Sequence, residues 1–302
     1  MLKKIIKLLK TIYSIEKRVD YIQQAIGRIE TRQAQSHNAI DNCILEFKVY
    51  SQSGEDGIIQ NIISKLPPNI AHNFIEFGVE NYLESNTRFL ALNNYWSGLI
   101  IDGNSENINF IKNDPIYWRC NIIAEHAFIT KDNINNIITK SGFKGEIGLL
   151  SIDIDGNDYW IFDAINVVRP AIIIVEYNSF FGKNKNVSIP YRADFQRDKA
   201  SFSKIFYGAS ISALVSLANK KNYALVASNS AGNNIFFVDR KYCNYINEIS
   251  IDQAYKKISF REVHDLNGNL EFLSFDEACK KIENNLVINL EDNQLVKLKS
   301  LI

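Results

Sequence analysis

GLLSIDIDGN (residues 148–157) and PAIIIVEYN (residues 170–178) are the two stretches that decide the fold of this chain. Each is an apolar run rich in Ile that ends in polar residues. Such runs are typical of central strands in a parallel sheet, which are buried on both faces. Because ligands of open α/β sheets bind at the carboxyl ends of the strands, the polar residues after both runs are the first candidates for a functional site.

These polar residues are mainly carboxylates. Asp153 and Asp155 are two residues apart, as are Glu176 and Asn178, so each pair is expected on one face of its strand. Neighbouring strands lie about 5 Å apart, which would bring the pairs together. Oxygen ligands suit Mg²⁺, which would lower the pKa of an acceptor hydroxyl, with Asp153, Glu176 and Asn178 as ligands. Alternatively, Asp155 caps the following turn, Glu176 contacts a substrate, and no metal binds.

An earlier part of the chain predicts half of a nucleotide-binding unit. Residues 74–77 are expected to form a strand, Gly78 a tight turn, and Ser85 the start of a helix. A second strand then ends at Asp102. In such units the glycine lets the backbone approach the ligand, and the acid holds the ribose hydroxyls. The alternative role of Asp102 is to cap the next helix.

The alternation of strands and helices continues to an antiparallel end. A third strand is predicted at residues 120–124, with Glu125 and His126 at its tip. Residues 223–227 and 235–238 read as two strands joined by a tight turn. The expected fold is therefore α/β, with a mostly parallel seven-stranded sheet that ends in an antiparallel hairpin. The polar segment 179–208 is long for a connection and is predicted to be a lid.

Composition excludes several classes of protein. The 302 residues include 34 basic and 34 acidic side chains, so nothing indicates bulk attraction to nucleic acid. The four cysteines are widely spaced, which predicts reduced thiols in a cytoplasmic protein. No apolar run reaches the roughly 18 residues that a transmembrane helix needs.

The N-terminal segment has a seven-residue repeat. Apolar residues alternate at spacings of three and four, at Ile5, Leu8, Ile12, Ile15, Val19, Ile22, Ile26 and Ile29. β-branched residues at both core positions favour trimers or tetramers, so a homo-oligomer through residues 5–29 is predicted. One alternative is a helix packed on its own domain. Another uses the basic face of Lys3, Lys4, Lys7 and Lys10 for peripheral contact with an anionic membrane, which would place the protein at its inner face.

The series of motifs resembles a known family. SQSGEDGII, FIEFGVENYLESNTRFL, WSGLIIDGN, LLSIDIDGNDYW and PAIIIVEYN occur in this order. They look like the FkbM-like branch of the class I S-adenosylmethionine (SAM)-dependent methyltransferases, over about residues 47–240. One departure is the lack of a second glycine near Asn81 or Tyr82. The resemblance implies a Rossmann-like fold and an O-methyltransferase that acts on a sugar hydroxyl of a glycan or nucleotide sugar. The pathway implied is surface-glycan biosynthesis, such as capsule or O-antigen.

The resemblance also implies roles for individual residues. Asp153 would stand between cofactor and acceptor, with Asp155 beside it as a second catalytic residue. Glu176, Asn178 and Tyr191 would contact the substrate. An equally weighted alternative for His126 is a solvent-exposed histidine at the end of a strand, without a role in binding. The cofactor-binding residues implied are Glu76 and Gly78 (methionine part), Ser85, Asn86 and Thr87 (carboxylate), Asp102 (ribose), and Glu125 and His126 (adenine).

Three segments are predicted: a coiled-coil helix (1–40), the methyltransferase domain (47–240) and a C-terminal accessory cap (241–302). Two other functions remain open. One is a non-catalytic scaffold in a glycan-assembly complex. The other is a nucleotide-sugar or dinucleotide enzyme, against which the missing GxGxxG motif counts.

Overall fold

The computed structural model describes residues 2–36, 45–258 and 263–301. Its centre is a seven-stranded sheet in the order β3-β2-β1-β4-β5-β8-β7. Strands β1 to β5 are parallel, and β8 lies antiparallel between β5 and β7. This is the Rossmann-like arrangement of class I methyltransferases, and the predicted fold class is confirmed. The strands of this sheet are β1 (Asn73–Phe77), β2 (Ser97–Asp102), β3 (Ile122–His126), β4 (Gly145–Ile152), β5 (Val168–Glu176), β7 (Tyr223–Ser228) and β8 (Asn234–Asp239).

Helices cover both faces of the sheet. Leu150 and Ile152 of β4 pack into one hydrophobic layer, whereas Leu149 packs into the other. Because successive side chains of a strand point to opposite faces, both faces must be apolar, which explains the uninterrupted apolar runs. The helices are α1 (Leu2–Ser36), α2 (Glu55–Lys65), α3 (Arg88–Asn93), α4 (Ser105–Asn113), α5 (Pro115–Arg119), α6 (Ile134–Lys140), α7 (Asp158–Ala164), α8 (Arg197–Ala200), α9 (Ile211–Lys220), α10 (Ile251–Ala254) and α11 (Phe275–Ile282).

The long segment after β5 and the C-terminal residues share a hydrophobic core. Phe181 and Val187 from the segment pack with Ile282 and Val287. A second, three-stranded sheet joins them, in the order β10-β9-β6. We call residues 179–206 and 263–301 the accessory unit. The predicted lid therefore packs with part of the predicted C-terminal cap. The strands of the second sheet are β6 (Val187–Ser188), β9 (Leu286–Asn289) and β10 (Gln294–Lys297).

Helix α1 rests on the domain by a polar side and leaves its apolar seam exposed. The buried side includes Gln24, whose amide donates to the hydroxyl of Tyr50 at 3.1 Å, and Thr31. Gly27 lies so close to Phe89 that a Cβ would come within 2.9 Å of its ring. All eight seam residues from Ile5 to Ile29 are about half exposed. The described part of the domain therefore does not cover the seam.

Two further expectations concern compartment. Among the described helices, none is long and apolar enough to cross a membrane. Cys120, Cys243 and Cys279 are free thiols. Cys43 lies outside the described residues, as do residues 37–40 of the predicted N-terminal segment.

Candidate active site

A cavity of about 400 Å³ opens at the carboxyl ends of the parallel strands. It lies where the strand order reverses, between β1 and β4, which is where open α/β sheets bind their ligands. Its charged lining is almost entirely acidic, and Arg197 is the one cationic side chain among the described residues that line it. The seven lining carboxylates are Glu76, Glu80, Glu84, Asp102, Asp153, Asp155 and Glu176.

The loop after β1 brings the backbone to the cavity through left-handed residues. Gly78 has φ of +70°, and it is followed by Glu80 at +47° and Tyr82 at +64°. The ring of Tyr82 is fully buried, and its hydroxyl lies 2.9 Å from that of Thr87. The sequence lacks the second glycine of this loop, and the structure accommodates two non-glycine residues at positive φ instead.

Asp102 is held at the end of β2 by three donors. Its Oδ2 accepts from the Glu80 amide at 2.8 Å, and its Oδ1 accepts from the Asn104 amide at 2.7 Å and Asn107 Nδ2 at 3.1 Å. Helix α4 is capped by Asn104, not by Asp102. Because an ionised carboxylate offers about four acceptor positions, Asp102 retains capacity for a ligand donor. Its role towards a ribose diol remains a prediction.

Glu76 lies at the end of β1, almost completely buried. Its carboxylate accepts from the backbone amides of Asn86 at 2.9 Å and Thr87 at 3.2 Å, and from the hydroxyl of Thr87. Burial raises the pKa of Glu76 to about 7, although the hydrogen bonds from Thr87, Asn86 and Ser151 oppose the shift. The carboxyl therefore titrates near neutral pH.

Ser85, Asn86 and Thr87 do not form the free helix terminus expected for a ligand carboxylate. Helix α3 begins later, at Arg88. The amide of Ser85 donates to the carbonyl of Tyr50 at 2.9 Å, and the other two amides donate to Glu76. Ser85 and Asn86 do line the cavity. A ligand carboxylate bound by these amides would have to replace Glu76.

Glu125 and His126 belong to β3 itself, because that strand begins at Ile122 and not at residue 120. Both side chains are exposed, and His126 Nε2 lies 3.1 Å from the carbonyl oxygen of Gly103. The residues that line the cavity here are the next three, Ala127, Phe128 and Ile129. The structure thus places the two predicted adenine contacts beside the cavity and not in its wall.

Asp153, Asp155 and Glu176 form a tight group of carboxylates. One oxygen from each lies within 4.8 Å of the others. Strand β4 ends at Ile152, so strand alternation does not align the two aspartates as the sequence suggested. Instead, Asp158 accepts from the amides of Ile154 and Gly156, both at 2.9 Å, and folds the loop back.

Burial and mutual repulsion change the acidity of this carboxylate group. Burial, followed by the charges of Asp155, Asp158 and Glu76, raises the pKa of Asp153 well above its ordinary value. Burial and the charge of Asp153 do the same to the pKa of Glu176. Arg197 lowers both pKa values in part. Carboxyls with raised pKa values are suited to exchange a proton with a substrate.

Arg197 was not recognised from the sequence. It is the first residue of the short helix α8, within the accessory unit. Its Nη1 donates to Asp155 Oδ1 at 2.8 Å, its Nε donates to the carbonyl of Lys204 at 2.7 Å, and its guanidinium stacks on Tyr207. The segment offers several basic residues without a periodic pattern, so nothing in the sequence distinguishes this one.

Asn178 and Tyr191 are not part of the cavity wall. Strand β5 ends at Glu176. The side-chain Nδ2 of Asn178 donates to the carbonyls of Ile205 and Tyr207, each at 2.9 Å. The Asn178 oxygen accepts from the Phe180 amide. The hydroxyl of Tyr191 accepts from the amide of Lys131 at 3.2 Å. The contacts observed for both side chains hold the accessory segment in place.

The carboxylate group would fit a divalent cation by chemistry. Three carboxylate oxygens at this spacing can share one hard cation such as Mg²⁺. The ligand set would then be Asp153, Asp155 and Glu176, with Asp155 in place of the predicted Asn178. Arg197 already supplies one positive charge to Asp155, however.

Comparison with known proteins found similar solved structures at low sequence identity. No protein-family model matches the chain, and no curated protein matches its sequence. The N-terminal domain of EvdMO1 with S-adenosylhomocysteine (SAH) bound is 14% identical, covering 70% of this chain and 96% of that chain, with a TM-score of 0.42. The same domain in the presence of SAH and D-fucose is 14% identical, with the same coverages and a TM-score of 0.40. The O-methyltransferase from Bacillus cereus in complex with SAH is 16% identical, covering 69% and 90%, with a TM-score of 0.41.

Proposed function

We propose that the protein is a SAM-dependent O-methyltransferase that acts on a sugar hydroxyl in surface-glycan biosynthesis. The observation that carries the proposal is the acidic cavity at the switch point of the sheet, with Asp102 at the end of β2 and the carboxylate group beside it. The resemblance of the motif series supports the glycan pathway, and the geometry supports the chemistry.

The charge of the cavity favours a cationic ligand. Seven carboxylates and one arginine line it. SAM carries a positive sulfonium and an ammonium group, both of which such a cavity attracts. The diphosphate of a dinucleotide or nucleotide sugar bound in the place of the cofactor would instead meet like charge, and no basic cluster lines the described wall to offset it. This argues against a dinucleotide enzyme.

The strand ends support an assignment for each part of the cofactor. Asp102 would accept from the ribose hydroxyls, and Glu76 would face the amine. Ile101, Phe128 and Ile129 give the apolar surface that an adenine ring needs beyond Asp102. SAM, when bound, supplies a methyl carbon activated by the sulfonium, so that transfer leaves neutral SAH.

Asp153 is the proposed general base. A sugar hydroxyl is too weak an acid to ionise alone at neutral pH, so its proton must go to a nearby group as its oxygen attacks. Asp153 lines the cavity next to Glu176, where it would stand between cofactor and acceptor, and its raised pKa favours proton uptake. Glu176, close by, can share that proton. The proton thus passes from the acceptor hydroxyl to the carboxylate group.

Positive charge at the carboxylate group can come from Arg197 or from Mg²⁺. Mg²⁺ on Asp153, Asp155 and Glu176 would lower the pKa of the acceptor hydroxyl. The ion pair between Arg197 and Asp155 favours the metal-free alternative. Addition of EDTA followed by Mg²⁺ discriminates them: loss and recovery of methyl transfer would assign the role to the metal.

Titration with SAH by calorimetry tests the proposal first. Saturable binding supports it, and the next step is transfer of tritium from [methyl-³H]SAM to a panel of nucleotide sugars and extracted surface glycans. SAH binding without transfer to any member of the panel would favour the scaffold. No SAH binding to the folded protein would contradict the methyltransferase assignment.

A further inference from the structure

Three residues that line the cavity each have a buried side-chain oxygen that receives no hydrogen bond from the described residues. Asn157 Oδ1, Glu176 Oε2 and Asn234 Oδ1 are buried and lack a partner among the described residues. All three residues line the cavity and are at most 5% exposed. Buried polar atoms without a partner are uncommon in folded proteins, so three of them on residues that line one cavity favour a role in hydrogen bonding to a ligand. We call Asn157, Glu176 and Asn234 the acceptor wall.

The two amides are fixed with their oxygens as the unpartnered atoms. Nδ2 of Asn157 donates to the carbonyl of Arg192 at 2.8 Å, and Nδ2 of Asn234 donates to Glu55 Oε1 at 3.0 Å. Both partners can only accept, so the nitrogen must face them. Reversing either amide would set two acceptors against each other.

The residues of the acceptor wall lie on neighbouring strand ends. Glu176 ends β5 and pairs directly with Asn234, the first residue of β8. Paired residues of adjacent strands project to the same face. Asn157 follows β4, the strand on the other side of β5. The acceptor wall thus lies at the ends of β4, β5 and β8, whereas the residues proposed for the cofactor lie mainly at and after the ends of β1, β2 and β3.

We propose that the acceptor wall binds the methyl acceptor through the acceptor's own O–H donors. This inference rests on the proposed methyltransferase function. Asn157 and Asn234 accept hydrogen bonds from hydroxyls near the one that is methylated. Glu176 accepts a hydrogen bond from a third hydroxyl. Because the amide oxygens of Asn157 and Asn234 can only accept hydrogen bonds, and seven carboxylates outnumber Arg197 in the cavity, the wall selects an uncharged polyhydroxyl group. It rejects a phosphate or carboxylate at this position.

The test uses the protein saturated with SAH and a panel of neutral methyl glycosides of gluco, galacto, manno and fuco configuration. Glucose 1-phosphate and glucuronate are the anionic counterparts. Saturation-transfer NMR should show binding of at least one neutral glycoside, and at least tenfold weaker binding of both anions. Equal or tighter binding of an anion, or no binding of any neutral glycoside to the SAH complex, would overturn the inference.

Variants locate the binding. Asn157→Ala and Asn234→Ala should each lower the affinity for the glycoside at least tenfold. Asn186→Ala is the matched control, because Asn186 Oδ1 is also buried without a partner but lies outside the cavity. If an alanine variant fails to fold, Asn157→Ser or Asn234→Ser replaces it. Unchanged glycoside affinity in both variants would refute the assignment.

The SAH affinity of each protein is measured first, because it distinguishes failure of the proposed function from failure of the acceptor wall alone. If the wild-type protein does not bind SAH, the result counts against the proposed function. Normal SAH binding with glycoside binding that is indifferent to Asn157 and Asn234 would count against the acceptor wall alone.

Discussion

The backbone of Gly78 lies directly against the carbonyl oxygen of Asp153: a Cβ at residue 78 would come within 1.6 Å of that oxygen. Gly78 follows β1 and Asp153 follows β4, so this contact lies at the switch point of the sheet. The contact sets how closely the chain after β1 and the chain after β4 can approach each other. The glycine is therefore required for space as well as for its positive φ.

Gly78→Ala should destabilise the fold and abolish SAH binding. A left-handed alanine costs about 1–2 kcal/mol, and overlap with the Asp153 carbonyl adds a cost of about 1–3 kcal/mol. Gly145→Ala is the control, since Gly145 has φ of +72° but open space around its Cβ position. Urea unfolding of both variants measures the difference. Equal destabilisation would mean that the close contact is unimportant.

Asp102→Asn should weaken SAH binding at least tenfold. The change keeps the shape but removes the charge that strengthens the bonds to a ribose diol, and hydrogen bonds to charged groups contribute about 1.5–3 kcal/mol. Calorimetry measures the affinity, with Asp132→Asn, at an exposed position outside the cavity, as control. Wild-type affinity in Asp102→Asn would show that the ribose lies elsewhere.

Glu76→Gln should become more stable relative to the wild type as pH rises. Burial raises the pKa of Glu76 from 4.5 to about 7, so between these values the folded state holds a proton that the unfolded state has lost. Raising the pH removes that proton and destabilises the wild type by on the order of 1 kcal/mol per pH unit. The amide of the variant cannot titrate, so the variant lacks this loss.

The measurement is urea unfolding of wild type and Glu76→Gln at several pH values from 5 to 8. Buried carboxyls whose pKa values do not depend on Glu76, such as Asp56 and Asp158, are common to both proteins and cancel in the difference. The stability difference should change between about pH 5 and 7 and level off above. A difference independent of pH would contradict the raised pKa.

Arg197→Gln should destabilise the protein more at pH 8.5 than at pH 5.5. Without the guanidinium, the pKa values of Asp153 and Glu176 rise further, and ionising these carboxyls at high pH costs more. Arg192→Gln is the control, because the side chain of Arg192 forms an exposed ion pair with Asp194 and does not line the cavity. Thermal unfolding at the two pH values gives the comparison. The same loss at both pH values would indicate a packing role instead.

We propose that copies of the chain associate through the seam of α1, most simply as a trimer or tetramer. The seam extends over nearly four heptads, faces away from the polar side that docks on the domain, and is exposed throughout. The double change Ile15→Asn and Ile22→Asn should give a monomer in light scattering.

The control for the seam is Tyr21→Asn, which alters an equally exposed residue outside the seam. A wild-type monomer that binds anionic vesicles would assign the segment to membrane contact instead. A wild-type monomer that binds no vesicles would leave neither partner supported.

The strands and their functional ends were predictable because each is a short apolar run followed by polar residues. β2 ends at Asp102 and β5 at Glu176, as the runs indicated. Such local signals suffice where one strand decides the position of one side chain. They failed at β3, where α5 and a left-handed Asn121 delay the strand, so that the residues after His126 reach the cavity.

Arg197, Asn157 and Asn234 could not have been assigned from local patterns. Arg197 reaches Asp155 only because its segment packs on residues far along the chain, including Ile282 and Val287. Asn234 depends on the pairing of β8 with β5 and on a contact with Glu55. Long-range packing of this kind leaves no periodic trace in the sequence.

The seven carboxylates that line the cavity also affect the relative binding of substrate and product. Under the proposed function, the substrate brings a sulfonium charge into the cavity and the product is a neutral thioether. The attraction that seven acidic side chains exert is therefore greatest before transfer and weakens once the methyl group has left. The same charges that attract the donor should therefore hold the spent cofactor less tightly, which would reduce inhibition by the product.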